Sequence, residues 1–81
     1  MKFYYVYILQ SINSPDRYYV GFTENLDERL KDHNSGKSSY TSKFKPWRFE
    51  TYLAFSDKSK ALNFEKYIKS GSGRAFSKKR L

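Results

Sequence analysis

The spacing of apolar residues changes along this chain, and each change marks an element. From Lys2 to Gln10 the sequence KFYYVYILQ is apolar at almost every position. Strand alternation would put Phe3, Tyr5, Tyr7 and Leu9 on one face and Tyr4, Val6 and Ile8 on the other. Both faces are apolar, so this strand is expected to be covered on both sides. SINSPDR follows, with Asn13, Ser14, Pro15 and Asp16 clustered as turn residues. Arg17–Phe22 reads as a second strand, and the short connection makes the two an antiparallel hairpin.

The period then lengthens. In TENLDERLKDHNSGK, Leu26 and Leu30 form a helical stripe, and Asn25 with Glu28 three places on predicts a capping box. Asp27 and Glu28 suit the positive helix start, and Asn34 and Gly36 mark the end. KSSYTSKFKP is a polar loop with room for one helical turn. Trp47–Phe55 predicts a third strand with Phe49, Thr51, Leu53 and Phe55 on one face. SDKSKALNFEKYIKSGSG predicts a second helix, capped at Ser56 or Asp57 and stopped at Gly71 or Gly73, with Ala61, Phe64 and Ile68 as its stripe. RAFSKKRL is an optional short last helix. The order β-β-α-β-α(-α) implies an α+β fold, a small three-stranded antiparallel sheet flanked by helices. Residues 1–81 are expected to form a single domain.

Composition narrows the function classes. There is no cysteine, so disulfides and thiolate metal sites are excluded. The longest apolar run, Phe3–Leu9, is too short to cross a bilayer, and no signal-peptide pattern opens the sequence. A soluble, cytoplasmic chain without membrane attachment is the expectation. The net charge is +8, and it is lopsided. Residues 1–40 carry five basic and five acidic side chains, whereas residues 41–81 carry eleven basic and three acidic. A one-sided basic surface attracts polyanions, nucleic acid foremost; a solvated basic tail is the plain alternative.

Three features do not fit plain packing. Glu65 lies within the apolar stripe of the second helix, where a carboxylate is costly unless paired, hydrogen-bonded or bound to a metal. An ion pair with an arginine is its structural explanation, and a site role its functional one. Arg29 and His33, the chain's one histidine, are four residues apart on one edge of the first helix's stripe. Together they can place a phosphate-binding fork beside a proton-transfer group, although each alone is commonly a surface residue. Gly21 interrupts the second strand, which suggests a bend or a close approach to the backbone. Tyr19 and Gly21 share a face, and Tyr7 joins them if the hairpin register allows.

These residues resemble a known family. VYI (Val6–Ile8) and YVG (Tyr19–Gly21), with twelve positions from Tyr7 to Tyr19, resemble the paired motif that names the GIY-YIG endonucleases. TENLDERLKDH resembles the family's arginine- and histidine-bearing helix, and AFSDKSKALNFEKYIK its metal-binding helix. TSKFKPWRF and IKSGSGRAF are similar to segments of a short stand-alone bacterial subgroup, often described as resembling the nuclease domain of the excision-repair protein UvrC. The resemblance spans nearly the whole chain. It implies that Tyr7, Tyr19, Arg29, His33 and Glu65 are catalytic, that Gly21 is structural within its motif, and that Glu65 binds one Mg²⁺ or Mn²⁺. Tyr5 departs from the first motif's glycine. Phe22 stands where some members have a lysine near the reactive phenol, so no lysine is expected to activate it here.

The activity so implied is metal-dependent endonucleolytic hydrolysis of phosphodiester bonds, in DNA more than RNA, with a place in DNA repair among the expectations. Lys43, Lys45, Arg48, Lys69, Arg74, Lys78, Lys79 and Arg80 are candidates to hold the nucleic-acid backbone. No recognition module is present, so sequence specificity should be low or supplied by a protein partner. The chain is expected to be a monomer or weak dimer. The alternative from another class is a non-catalytic nucleic-acid-binding module on the same fold, its aromatic residues serving as stacking platforms.

Overall fold

The run of alternately facing apolar residues at the start of the chain becomes the central strand. In the computed structural model, which describes residues 2–81, β1 (Tyr4–Ser11) pairs antiparallel with β2 (Tyr18–Thr23) and with β3 (Trp47–Phe55), giving the sheet order β2-β1-β3. Val6, Tyr7, Ile8 and Leu9 are all buried, as expected for a strand covered on both faces. The remaining elements are α1 (Leu26–Asn34), α2 (Ser39–Ser42), α3 (Lys58–Lys69) and α4 (Gly71–Arg80). The fold is therefore the expected α+β arrangement, with the single turn α2 formed inside the polar loop.

Tyr7, Leu9 and Trp47 form a core on one face of the sheet, packed against Leu26 and Leu30 of α1 and against Phe44. Val6 and Ile8 turn to the other face, where α3 contacts β1 and β2 and buries Ala61 and Ile68. α4 packs on α3.

Three details differ from the sequence expectation, each for a local reason. Phe49 does not share a face with Thr51, Leu53 and Phe55. Leu9 pairs with Phe49 while Ile8 pairs with Thr51, so Glu50 is an extra residue, a bulge that reverses the alternation. Phe49 thereby reaches Tyr7, their ring centroids 6.0 Å apart. The capping box at α1 is half formed. Asn25 Oδ1 accepts the Glu28 N–H at 3.1 Å, but the Asn25 N–H goes to Thr23 Oγ1 and not to Glu28. The last helix begins at Gly71 rather than Arg74, because Ser70 caps it through Oγ, 3.1 Å from the Gly73 N–H. Gly73 lies against the Tyr67 carbonyl, where any Cβ would collide, so only glycine lets α4 turn back this tightly onto α3.

Candidate active site

β1 and β2 supply the floor of the site. The hairpin register places Tyr7 directly across from Gly21, and Leu9 across from Tyr19, so Tyr7, Tyr19 and Gly21 do share one face. The interruption at Gly21 now has a cause. A Cβ there would run into the phenol of Tyr7, whose ring lies over the glycine.

α1 crosses that face and delivers the pair spaced four residues apart. His33 is fully buried, and its Nε2 lies 2.9 Å from Tyr7 Oη. Arg29 Nε donates to the same phenol oxygen at 3.2 Å, while its Nη1 makes only a long 3.9 Å approach to Asp32. On its far side, His33 Nδ1 lies 2.8 Å from Thr41 Oγ1 in α2. The imidazole also packs against Tyr19, with ring centroids 5.0 Å apart. Among the described residues no buried side-chain nitrogen or oxygen lacks a hydrogen-bond partner.

Electrostatics follow from this packing. Burial pushes the Tyr7 phenol above its ordinary value, against the opposing pull of Arg29, and Glu65 adds to the upward push. Burial, helped by the Arg29 charge, lowers His33, so the imidazole is neutral at neutral pH. The hydrogen bond to Tyr7 strengthens the hold of Arg29 on its proton.

α3 reaches Tyr19 with a second pair. Lys69 Nζ sits 5.9 Å from the Tyr19 ring centroid and 3.1 Å from Glu65 Oε2. Two expectations change here. A lysine does stand beside the second-motif phenol, brought from α3 rather than from β2. The partner of Glu65 is this lysine one turn along its own helix, not an arginine. Among the described residues no three metal-ligating side chains cluster, and Glu65 is the carboxylate that α3 brings to this point.

The basic candidates divide. All eight are exposed. Lys69, Arg74 and Lys78 gather with Arg17, Tyr19 and Tyr40 around an open cleft of about 740 Å³, which also contains the carboxylates of Asp16 and Glu50. The cleft touches the buried cluster through Tyr19, while Tyr7, Arg29, His33 and Glu65 do not line it. Lys43, Lys45 and Arg48 lie at the α2–β3 junction, and Lys79 and Arg80 in the last turn of α4; none of the five lines the cleft. Of the other tyrosines, Tyr4 stacks on Phe22, Tyr5 meets Tyr52 edge-on, and Tyr18 is half exposed. Thr41 and Tyr40 were not legible as site residues. A threonine and a tyrosine in a polar loop carry no periodic signal, and only the fold brings them to His33 and Tyr19.

Comparison with known proteins assigns the chain to a family. Residues 3–80 match the description of the GIY-YIG catalytic domain. A UPF0213 protein of Lacticaseibacillus paracasei is 38% identical over 69 residues, covering 84% of this chain and 75% of that protein. A structure-specific endonuclease subunit SLX1 homolog of Giardia intestinalis is 40% identical over 65 residues, covering 75% of this chain; the match spans only 18% of that longer protein. The solution structure of a UPF0213 protein from Bacillus halodurans superposes with a TM-score of 0.56 at 35% identity, covering 94% of this chain and 80% of that one. With its domain matched from near one end to the other, and with the paired tyrosines, the glycine and the arginine–histidine helix converging on one face, the chain belongs to the GIY-YIG nuclease family.

Proposed function

We propose that this protein is a metal-dependent endonuclease hydrolysing phosphodiester bonds in DNA, with little sequence preference of its own. The observation that carries the proposal is the convergence of Tyr7, His33 and Arg29 at 2.9 and 3.2 Å beside the partly exposed Tyr19. Arg29 is fixed through Nε, which leaves its terminal nitrogens for the non-bridging oxygens of a phosphate. Water attacks phosphorus, and the 3′ oxygen leaves with its bonding pair. Tyr19, the phenol within reach of solvent, orients that water. The proton the water loses ends on His33, reached through Tyr7 across their hydrogen bond; a phenol with a raised pKa needs such an acceptor behind it.

The donor chemistry fits one hard cation. Glu65 is a partly exposed carboxylate, and its partner Lys69, with 49% of its side chain exposed, is free to swing away. A single carboxylate suits Mg²⁺ or Mn²⁺, which otherwise keep water and phosphate oxygens. Glu65 would hold such an ion, which when bound would supply charge stabilisation to the phosphoryl group in the transition state. The lysines and arginines around the cleft hold the nucleic-acid backbone. The names of the SLX1 relatives favour selection by nucleic-acid structure and completion of the enzyme by a partner protein. A non-catalytic binding module would leave the buried Tyr7–His33 pair, and the Arg29 fork held over it with its terminal nitrogens free, without a use.

The test is nicking of supercoiled plasmid by purified protein in Mg²⁺ and then Mn²⁺, with EDTA and Glu65→Ala as controls. Nicking that needs metal and vanishes in Glu65→Ala is expected. A folded wild-type protein that binds DNA but nicks nothing under either metal would overturn the enzymatic reading in favour of the binding module.

A further inference from the structure

We infer that Thr41 is a positioning residue: its hydroxyl holds His33 in the tautomer with the proton on Nδ1, so that Nε2 is left as the acceptor for Tyr7. The catalytic consequence rests on the proposed nuclease reading; the hydrogen-bond assignment does not.

The direction of the chain follows from donor chemistry. Arg29 Nε–H can only donate, and it donates to Tyr7 Oη. Tyr7 is 1% exposed, so its own O–H must find an acceptor inside, and the other partner of that oxygen is His33 Nε2 at 2.9 Å. A neutral imidazole that accepts at Nε2 carries its proton on Nδ1. Nδ1–H then points at Thr41 Oγ1, 2.8 Å away, and the Thr41 O–H has the Ser38 carbonyl at 3.4 Å. Every donor meets an acceptor, in one direction from a charged guanidinium to a backbone carbonyl. In the reverse direction Tyr7 Oη would receive two N–H groups, and its own proton would be buried without an acceptor. Burial and the Arg29 charge keep the ring neutral, which the tautomer requires.

Thr41 is itself held in place. It is fully buried, and its carbonyl accepts from the Trp47 indole Nε1–H at 2.7 Å. Asn34, the last residue of α1, grips the Trp47 backbone on both sides. Its Oδ1 accepts the Trp47 N–H at 2.6 Å, and its Nδ2 donates to the Trp47 carbonyl at 3.1 Å. The end of α1, the start of β3 and the single turn α2 are thus tied together around one hydroxyl. A β-branched side chain with a stiff χ1 suits that task.

His33 is the one histidine in the chain, so the imidazole ¹⁵N signals of uniformly labelled protein need no assignment. The measurement compares wild type, Thr41→Ser and Thr41→Val in mildly alkaline buffer, with amide spectra as a check on folding. Wild type and Thr41→Ser should carry the proton on Nδ1. Thr41→Val, which keeps the shape and loses the acceptor, should shift it toward Nε2. Plasmid nicking should fall by about 100-fold in Thr41→Val, the lower end of what general acid–base catalysis contributes, with substrate affinity retained and the rate restored in Thr41→Ser. A wild-type proton on Nε2, or a folded Thr41→Val with an unchanged spectrum, overturns the inference. If Thr41→Val does not fold, Thr41→Ala takes its place and the wild-type tautomer still decides. An Nδ1 proton that moves as expected in a protein that nicks nothing leaves Thr41 confirmed in its positioning and defeats the nuclease reading alone.

Discussion

Adding one methyl group at Gly21 should disable the site from within the sheet. Gly21 is the Cα partner of Tyr7, and a Cβ there would occupy space now filled by the end of the Tyr7 ring. In Gly21→Ala the ring has to tilt away. Overpacking of this kind costs about 1–3 kcal/mol. The tilt also breaks the Arg29 and His33 hydrogen bonds, which are worth about 1.5–3 kcal/mol for the charged donor and about 0.5–1.5 kcal/mol for the neutral one. Reduced freedom of the unfolded chain returns about 0.4–1 kcal/mol. A net loss of about 2–4 kcal/mol is expected, because the overpacking is relieved by the same tilt that breaks the bonds. With a slope near 1 kcal/mol/M, the urea midpoint should drop by about 2 M or more at unchanged slope. In a double-mutant cycle with Tyr7→Phe, which removes the colliding oxygen and both hydrogen bonds, the alanine should cost at least about 1 kcal/mol less than in wild type. A Gly21→Ala protein with the wild-type midpoint and wild-type nicking, or a cycle with no coupling, would refute the account of this glycine.

Other expectations follow from the same geometry. Glu65→Gln should abolish metal-stimulated nicking while moving stability by less than about 1 kcal/mol, because the Glu65–Lys69 pair is partly exposed; urea melts and nicking assays check both. His33 has a folded pKa below its ordinary 6.5, held there by burial and Arg29 against the opposing pull of Asp32. The unfolded chain therefore binds the proton more readily, so the His33 contribution to stability is complete above about pH 6.5 and is lost as pH falls toward the folded value. Urea midpoints across that range should decline on the acid side, and an NMR titration of the one histidine should place it below 6.5. Replacing Arg74 and Lys78 together by alanine should weaken DNA binding for all sequences alike and reduce the slope of log affinity against log salt by about 2. A slope that does not change would remove these two residues from the backbone-binding set.

Most of the architecture could be read from patterns of short range. KFYYVYILQ announces a strand buried on both faces because it has no polar face to offer water. Asn25 caps α1 and Asp57 caps α3 because their side chains satisfy backbone donors a few residues away, a strictly local chemistry. The boundaries of β3 and the end of α1 at Asn34 fall where aromatic spacing and turn residues placed them. The bulge at Glu50 was not legible. Alternation continues unbroken through Phe49, Thr51, Leu53 and Phe55 in sequence, and only pairing with β1 shows that one residue is extra. The start of α4 was equally hidden, since Gly71 and Gly73 read as helix stops until Ser70 and the Tyr67 carbonyl are seen to require them.

The same division runs through the site. Sequence alone determined which residue types are present at which spacing: two tyrosines twelve positions apart, an arginine and a histidine on one helical edge, and a carboxylate in an apolar stripe. Spacing along a helix fixes the direction of a side chain relative to its own element, which is why Arg29, His33 and Glu65 stand out; the family resemblance is what selects Tyr7 and Tyr19 among the strand tyrosines. The tertiary structure decided how those elements face one another. It set the register that lays Tyr7 over Gly21, placed Lys69 beside Tyr19, and brought Thr41 to the far side of His33. Those relations depend on strand pairing and loop closure over separations of eight to dozens of residues. No local period encodes such distances, and only the packed core fixes them.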